Sequence, residues 1–240
     1  MKRENLNLVK AESRTQGPNT REQFFEVSVF LFLILPSMVL SFFVVRQGTL
    51  GFVFTAFTVI LRDLALVSLI LFFLWRNREP LERLGWNFKN GWKDLALGAG
   101  LFIPLFFSVG LLDQLLRDMG FSAPATPLPS FLAAKGGAEI VLAAVLVVVV
   151  ALAEEIIFRG YLLLRFQGLR LPPAWAALLS TFIFSLGHGY EGSSGLLTVG
   201  AMGLAFALVY LWRRSLMAPI IMHFLQDFIS IVIPALLGLK

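Results

Sequence analysis

The chain has 240 residues, 58% hydrophobic and 15% charged, with a mean hydropathy of +0.80, a formal charge of +5 and no cysteine. So little charge over this length excludes an ordinary soluble domain, and the long continuous apolar runs exclude a barrel of short alternating strands. The lack of cysteine excludes disulfides, thiolate metal sites and a cysteine nucleophile. The basic balance fits the loops that orient a membrane protein, and no motif points to nucleic acid.

Residues 1–23 are polar and mixed in charge, and read as a cytoplasmic tail. Apolar runs able to cross a bilayer, at about 20 residues each, follow at 24–45, 50–75, 95–116, 138–164, 173–190, 194–212 and 216–236. They predict an all-α polytopic transmembrane bundle of about seven spans. The segment 76–94 is the largest cytoplasmic piece, with Trp86 and Trp92 expected at headgroup depth. The segment 117–137, with Pro124, Pro127 and Pro129, is the largest outer loop. With the N-terminus in the cytoplasm, 14 Lys and Arg lie inside and 4 outside, leaving Arg62 and Arg159 within spans. That asymmetry predicts N-in and C-out, which an odd number of spans satisfies. Residues 24–240 form one domain, in which the motifs described next occupy about 138–236.

Ionisable side chains at bilayer depth are costly and mark pairs or functional paths. Three sets stand out. Arg62 and Asp63 adjoin in the second run, about 100° apart on a helix, and are expected to find partners elsewhere or to snorkel rather than to pair directly. In AEEIIFRG, Glu155 and Arg159 are four apart with the acid first, the favourable order for a pair. Glu154 points away from that pair and has no partner, so a structural pair explains two of the three charges. An unpaired buried carboxylate suits proton transfer, and from the spacing alone catalysis or transport stands level with a structural role. The only two histidines, His188 and His223, both fall in late apolar runs, with Asp227 one turn beyond His223. Glu, His, His and Asp are what a water-activating protease site or a divalent-metal site would use.

These residues resemble the CAAX protease and bacteriocin-processing (Abi) family of intramembrane proteases, which includes the type II CAAX prenyl endopeptidases. The family pattern of EExxxR, FxxxH and HxxxN reads here as Glu154-Glu155-xxx-Arg159, Phe184-xxx-His188 and His223-xxx-Asp227. The resemblance implies a membrane-embedded endopeptidase acting on a membrane-associated or C-terminally processed peptide or protein. It implies catalytic roles for Glu154, His188, His223 and Asp227, with Glu154 as general base, His188 holding the water and His223 stabilising the oxyanion. Glu155, Arg159 and Phe184 are implied as supporting residues. Aspartate stands at 227 where the family commonly has asparagine. An ionised carboxylate cannot donate to an oxyanion, so Asp227 is expected to orient His223 and keep it protonated. The family was first described as metalloproteases. A mechanism without a cofactor is favoured here, with zinc on Glu154, His188, His223 and Asp227 as the alternative. A non-catalytic scaffold, immunity factor or regulator of the same family is the alternative function. A transporter would favour broken helices in paired half-repeats, which are absent. The expected location is the plasma membrane of a prokaryote.

One tension concerns depth. At 1.5 Å per residue, Glu154 sits about 16 Å from the basic end and His188 about 22 Å. A tilted fifth helix, or one starting after Trp175, would close that gap.

Overall fold

The computed structural model describes residues 18–44, 51–87, 89–123 and 129–238. Most of the predicted tail, and Pro124 and Pro127 of the outer loop, lie outside them. All regular structure among the described residues is helical. In hydrocarbon every backbone N–H and C=O must be satisfied within the chain, and helices do this locally. The run VLVVVV at 145–150, strand-prone in water, is therefore helical here.

Among the described residues seven helices make the bundle: α1 Thr20–Val44, α2 Phe52–Asn77, α3 Gly91–Asp118, α4 Gly137–Gly168, α5 Pro173–Leu186, α6 Gly192–Arg213 and α7 Met217–Leu237. Six are long and apolar enough to cross a membrane, so the chain is an integral, multi-pass membrane protein. Their outward faces carry large apolar side chains such as Phe57, Leu61, Phe107 and Leu111, each more than half exposed, as a lipid-facing surface requires.

The structure departs from expectation at several ends. The helix α1 starts at Thr20, ahead of the apolar run, because Asn19 and Glu22 form a capping box: Asn19 Oδ1 accepts from the Glu22 N–H at 3.0 Å, and Glu22 Oε2 accepts from the Asn19 N–H at 2.9 Å. The helix α5 starts at Pro173, where the apolar run begins, so a later start does not close the depth gap; it stops at Leu186, ahead of the run's end, and its 14 residues span about 21 Å, short of a 30 Å core. Trp86 packs against the main hydrophobic core, carried there by a short 3₁₀ turn at Leu81–Leu84 that buries Leu84. Trp92 is exposed.

Two helices are locally wound as π-helix. In α4 the segment Glu155–Leu162 follows Glu154 directly, and in α7 the segment Phe228–Val232 follows Asp227 directly. Such segments are rare and concentrate at functional sites, since an added residue per turn re-aims the side chains around it.

Buried ion pairs tie one end of the bundle. Arg165, 1% exposed, meets Glu79 Oε2 at 2.6 Å and Glu26 Oε2 at 3.1 Å, while Arg76 joins Glu26 and Arg83 joins Glu79. Arg213 meets Asp94 at 2.8 Å. The starts of α1 and α3 and the ends of α2, α4 and α6 therefore share an end, the one where the basic segments gather. The helices α2 and α4 pack together, as do α3 and α7, and α5 and α6. At Gly98 the backbone of α7 comes so close that an added Cβ would stand 2.6 Å from the Ala218 carbonyl oxygen.

Candidate active site

The helices α4, α5 and α7 converge on one polar cluster. Glu155 is fully buried, and its Oε1 accepts from Arg159 Nη1 at 2.6 Å, the pair its four-residue spacing predicts. The same oxygen lies 2.8 Å from His223 Nδ1. Glu155 thus joins α4 to α7, a contact across 68 residues of sequence that local spacing cannot reveal.

The environment of Arg159 is built for a buried cation. Its Nη2 donates to the Gly203 carbonyl oxygen at 3.0 Å, and its guanidinium lies 4.4 Å from the Phe184 ring centre and 5.2 Å from that of Phe206. Phe184 also meets His188 and His223, at ring separations of 5.0 and 5.9 Å. The phenylalanine of the FxxxH pattern is the wall between the buried arginine and both imidazoles.

His223 is 2% exposed, and with Nδ1 held by Glu155 its Nε2 turns toward two further acids. Asp227 Oδ2 lies 3.5 Å away and Glu154 Oε2 3.8 Å away, the latter too long for a hydrogen bond. Glu154 Oε2 is enclosed and has no hydrogen-bond partner, while the side chain as a whole keeps 13% exposure.

His188 stands just beyond α5, where Gly187 and Gly189 turn the chain, rather than inside a helix. Ser41 of α1 pins this turn: its hydroxyl donates to the Leu186 carbonyl oxygen at 3.0 Å and accepts from the Gly189 N–H at 3.2 Å. The His188 Nδ1 faces the Phe184 carbonyl oxygen at 3.3 Å. Glu154, His188, His223 and Asp227 all line one cavity of about 270 Å³, mostly apolar, between α2, α4 and the His188 turn. A second cavity of about 520 Å³, toward α3 and α6, shares His188, Tyr190, His223 and Asp227 with it. The cluster is therefore reached from two sides.

Arg62 and Asp63 depart from expectation. They pair directly, Arg62 Nε donating to Asp63 Oδ1 at 2.9 Å with Nη2 at 2.8 Å. The long arginine side chain bends around the helix and overcomes the angular offset between neighbours. Arg62 lines the first cavity beside Glu154. Tyr190 lines both cavities and was not anticipated; its position two residues after His188 in GHGYEG is the signal that would have drawn attention to it.

Residues 136–229 match the family described as type II CAAX prenyl endopeptidase Rce1-like. Over that stretch, less than half of the chain, the sequence is similar to the CAAX protease family. No curated protein matches the chain, and no solved structure does. The CAAX protease match takes in Glu154, Glu155, Arg159, Phe184, His188, His223 and Asp227, and leaves Arg62 and Asp63 outside.

The zinc alternative would use the same four side chains. Among the described residues no three His, Asp or Glu side chains are grouped as metal ligands would be. With His223 Nδ1 on Glu155, a zinc ion would be held from the Nε2 side, where Glu154 and Asp227 stand.

Proposed function

We propose that this protein is a CAAX protease-like intramembrane endopeptidase that cleaves a peptide bond with a water activated by Glu154, without a metal. The observation that carries the reading is the contrast between adjacent carboxylates. Glu155 is spent on Arg159 and His223, whereas Glu154 borders a cavity beside the imidazoles with no hydrogen bond of its own.

In this reading a water sits between Glu154 and His188. Glu154 takes its proton as the oxygen attacks the scissile carbonyl carbon. The carbonyl oxygen becomes an oxyanion and accepts from His223 Nε2–H, which a fixed Glu155 on Nδ1 keeps aimed at the cavity. Glu154 then returns the proton to the leaving nitrogen as the C–N bond breaks. Asp227, 3.5 Å from the same Nε2, supports the positive charge of the imidazolium; being an acceptor only, it does not contact the oxyanion.

The family name points to the C-terminal tails of prenylated proteins as one substrate class, and the apolar walls of the first cavity are compatible with a lipidated or membrane-anchored chain. A bacteriocin, a signal peptide or an anchored membrane protein is chemically equivalent at the scissile bond. A prokaryotic plasma membrane is the proposed location.

The test uses purified protein in proteoliposomes with a farnesylated peptide ending in a CAAX box, together with comparative proteomics of membrane and secreted fractions from cells. Glu154→Gln and His188→Ala each abolish cleavage in both assays while inserting and melting like wild type. Full activity in Glu154→Gln refutes the role of Glu154. A cellular phenotype that survives this substitution marks a scaffold instead.

A further inference from the structure

The Arg62–Asp63 pair has no part in the chemistry described so far, yet it stands beside the proposed base. A small chamber of about 20 Å³ lies between α1, α2 and α4, bordered by Ser37, Arg62, Asp63 and Glu154 among apolar side chains. That volume holds one water. Asp63 is 1% exposed; its Oδ1 is taken by Arg62, while its Oδ2 is enclosed and has no hydrogen-bond partner. Glu154 also carries an enclosed oxygen without a partner. Unsatisfied acceptors at this depth are costly, and two carboxylates at the same chamber cannot satisfy each other because neither ionised group donates.

We infer that the chamber binds a single structural water that donates one hydrogen to Asp63 Oδ2 and the other to the Glu154 carboxylate, making Asp63 a positioning residue for the base. Water is the one small molecule with two donors that fits. Its oxygen is left to accept, and the free end of the Arg62 guanidinium is at hand to donate, the Ser37 hydroxyl being already donated to the Ile34 carbonyl oxygen. Arg62 serves by fixing Asp63: its Nε and Nη2 hold Oδ1, which turns Oδ2 toward the chamber. The bridge links α2 to α4 at Glu154 and fixes the rotamer of the carboxylate, so that the side exposed to the larger cavity meets the substrate water in one orientation.

This inference rests on the proposed role of Glu154 for its kinetic consequence but not for its spectroscopic one. The infrared difference between wild type and Glu154→Gln isolates the Glu154 carboxyl band. The same difference is then taken in an Asp63→Asn background. A bridging water couples the groups, so the two differences do not superimpose. Cleavage of the farnesylated peptide by Asp63→Asn is expected to lose at least tenfold in kcat with KM unchanged, and Asp63→Glu recovers part of it. A merely structural loss would raise KM and lower Tm together. Should Asp63→Asn fail to fold because Arg62 is left uncompensated, Arg62→Gln/Asp63→Asn removes both charges and is read in the same way. Superimposable difference spectra overturn the bridge whether or not the protein is a protease. A wild type that cleaves nothing, with spectra that still differ, counts against the proposed function and in favour of the bridge.

Discussion

Glu155 and His223 meet at 2.8 Å through Oε1 and Nδ1, and the same Oε1 receives Arg159 at 2.6 Å. One fully buried oxygen therefore anchors the side chains of two helices. Removing its charge leaves Arg159 with only the Gly203 carbonyl and aromatic faces, and frees the His223 ring to rotate. Glu155→Ala is expected to cost about 3–5 kcal/mol, the usual penalty for breaking a buried pair from one side, and to abolish cleavage. Glu155→Gln keeps an acceptor for His223 Nδ1 and is expected to fold better than the alanine variant while remaining impaired. Thermal denaturation in detergent, alongside cleavage assays, measures both.

Gly203 is a second point where packing and site geometry coincide. A Cβ there would stand 2.8 Å from Phe184 and 3.1 Å from Arg159 Nη2. Phe184 cannot retreat without pressing on His188, so Gly203→Ala is expected to destabilise by about 1–3 kcal/mol, as overpacking does, and to lower kcat. The opposite substitution, Phe184→Leu, removes the ring over Arg159 and relieves the crowding. Gly203→Ala combined with Phe184→Leu should therefore lose less than the sum of the two single losses in Tm.

How far the sequence carries depends on the range of each interaction. The helices were readable because lipid leaves the backbone no alternative, and the Glu155–Arg159 pair because both residues lie on one turn. The end of α5 was missed: the apolar pattern runs on past Leu186, while the glycines around His188 turn the chain. The direct Arg62–Asp63 pair was missed because helical angles describe where side chains leave the backbone, not how far an arginine reaches. The link from Glu155 to His223 depends on how α4 and α7 pack, which no local pattern encodes. The packing of Trp86 on the core, beside the turn that buries Leu84, is likewise a tertiary contact that composition does not show.

The Arg165 cluster offers a control far from the cavities. Arg165 is 1% exposed and held by Glu26 and Glu79, themselves buried. Arg165→Ala leaves two carboxylates uncompensated and is expected to cost about 3–5 kcal/mol. Because none of these residues lines either cavity, the folded fraction should cleave at the wild-type rate. A fall in Tm with unchanged kcat per folded molecule is the expected result, read from active-site-independent folding signals and initial rates.

Asp227 separates the metal-free route from the zinc alternative. In the metal-free reading it supplies only a charge 3.5 Å from His223 Nε2, beside the one that Glu155 already supplies at Nδ1. Asp227→Asn is then expected to stay within about tenfold of wild type, a change of roughly 1.4 kcal/mol in the barrier, and its amide adds a donor that can reach the oxyanion. Asp227→Leu puts a bulky apolar side chain beside His223 Nε2 at the cavity wall, and should fall much further. EDTA should leave wild type and Asp227→Asn equally active. A zinc ligand set predicts the reverse: aspartate to asparagine weakens the metal by removing a charged ligand, and EDTA abolishes cleavage until zinc is returned. Initial rates for the three proteins, measured with EDTA and then with added zinc, distinguish the two mechanisms in one experiment.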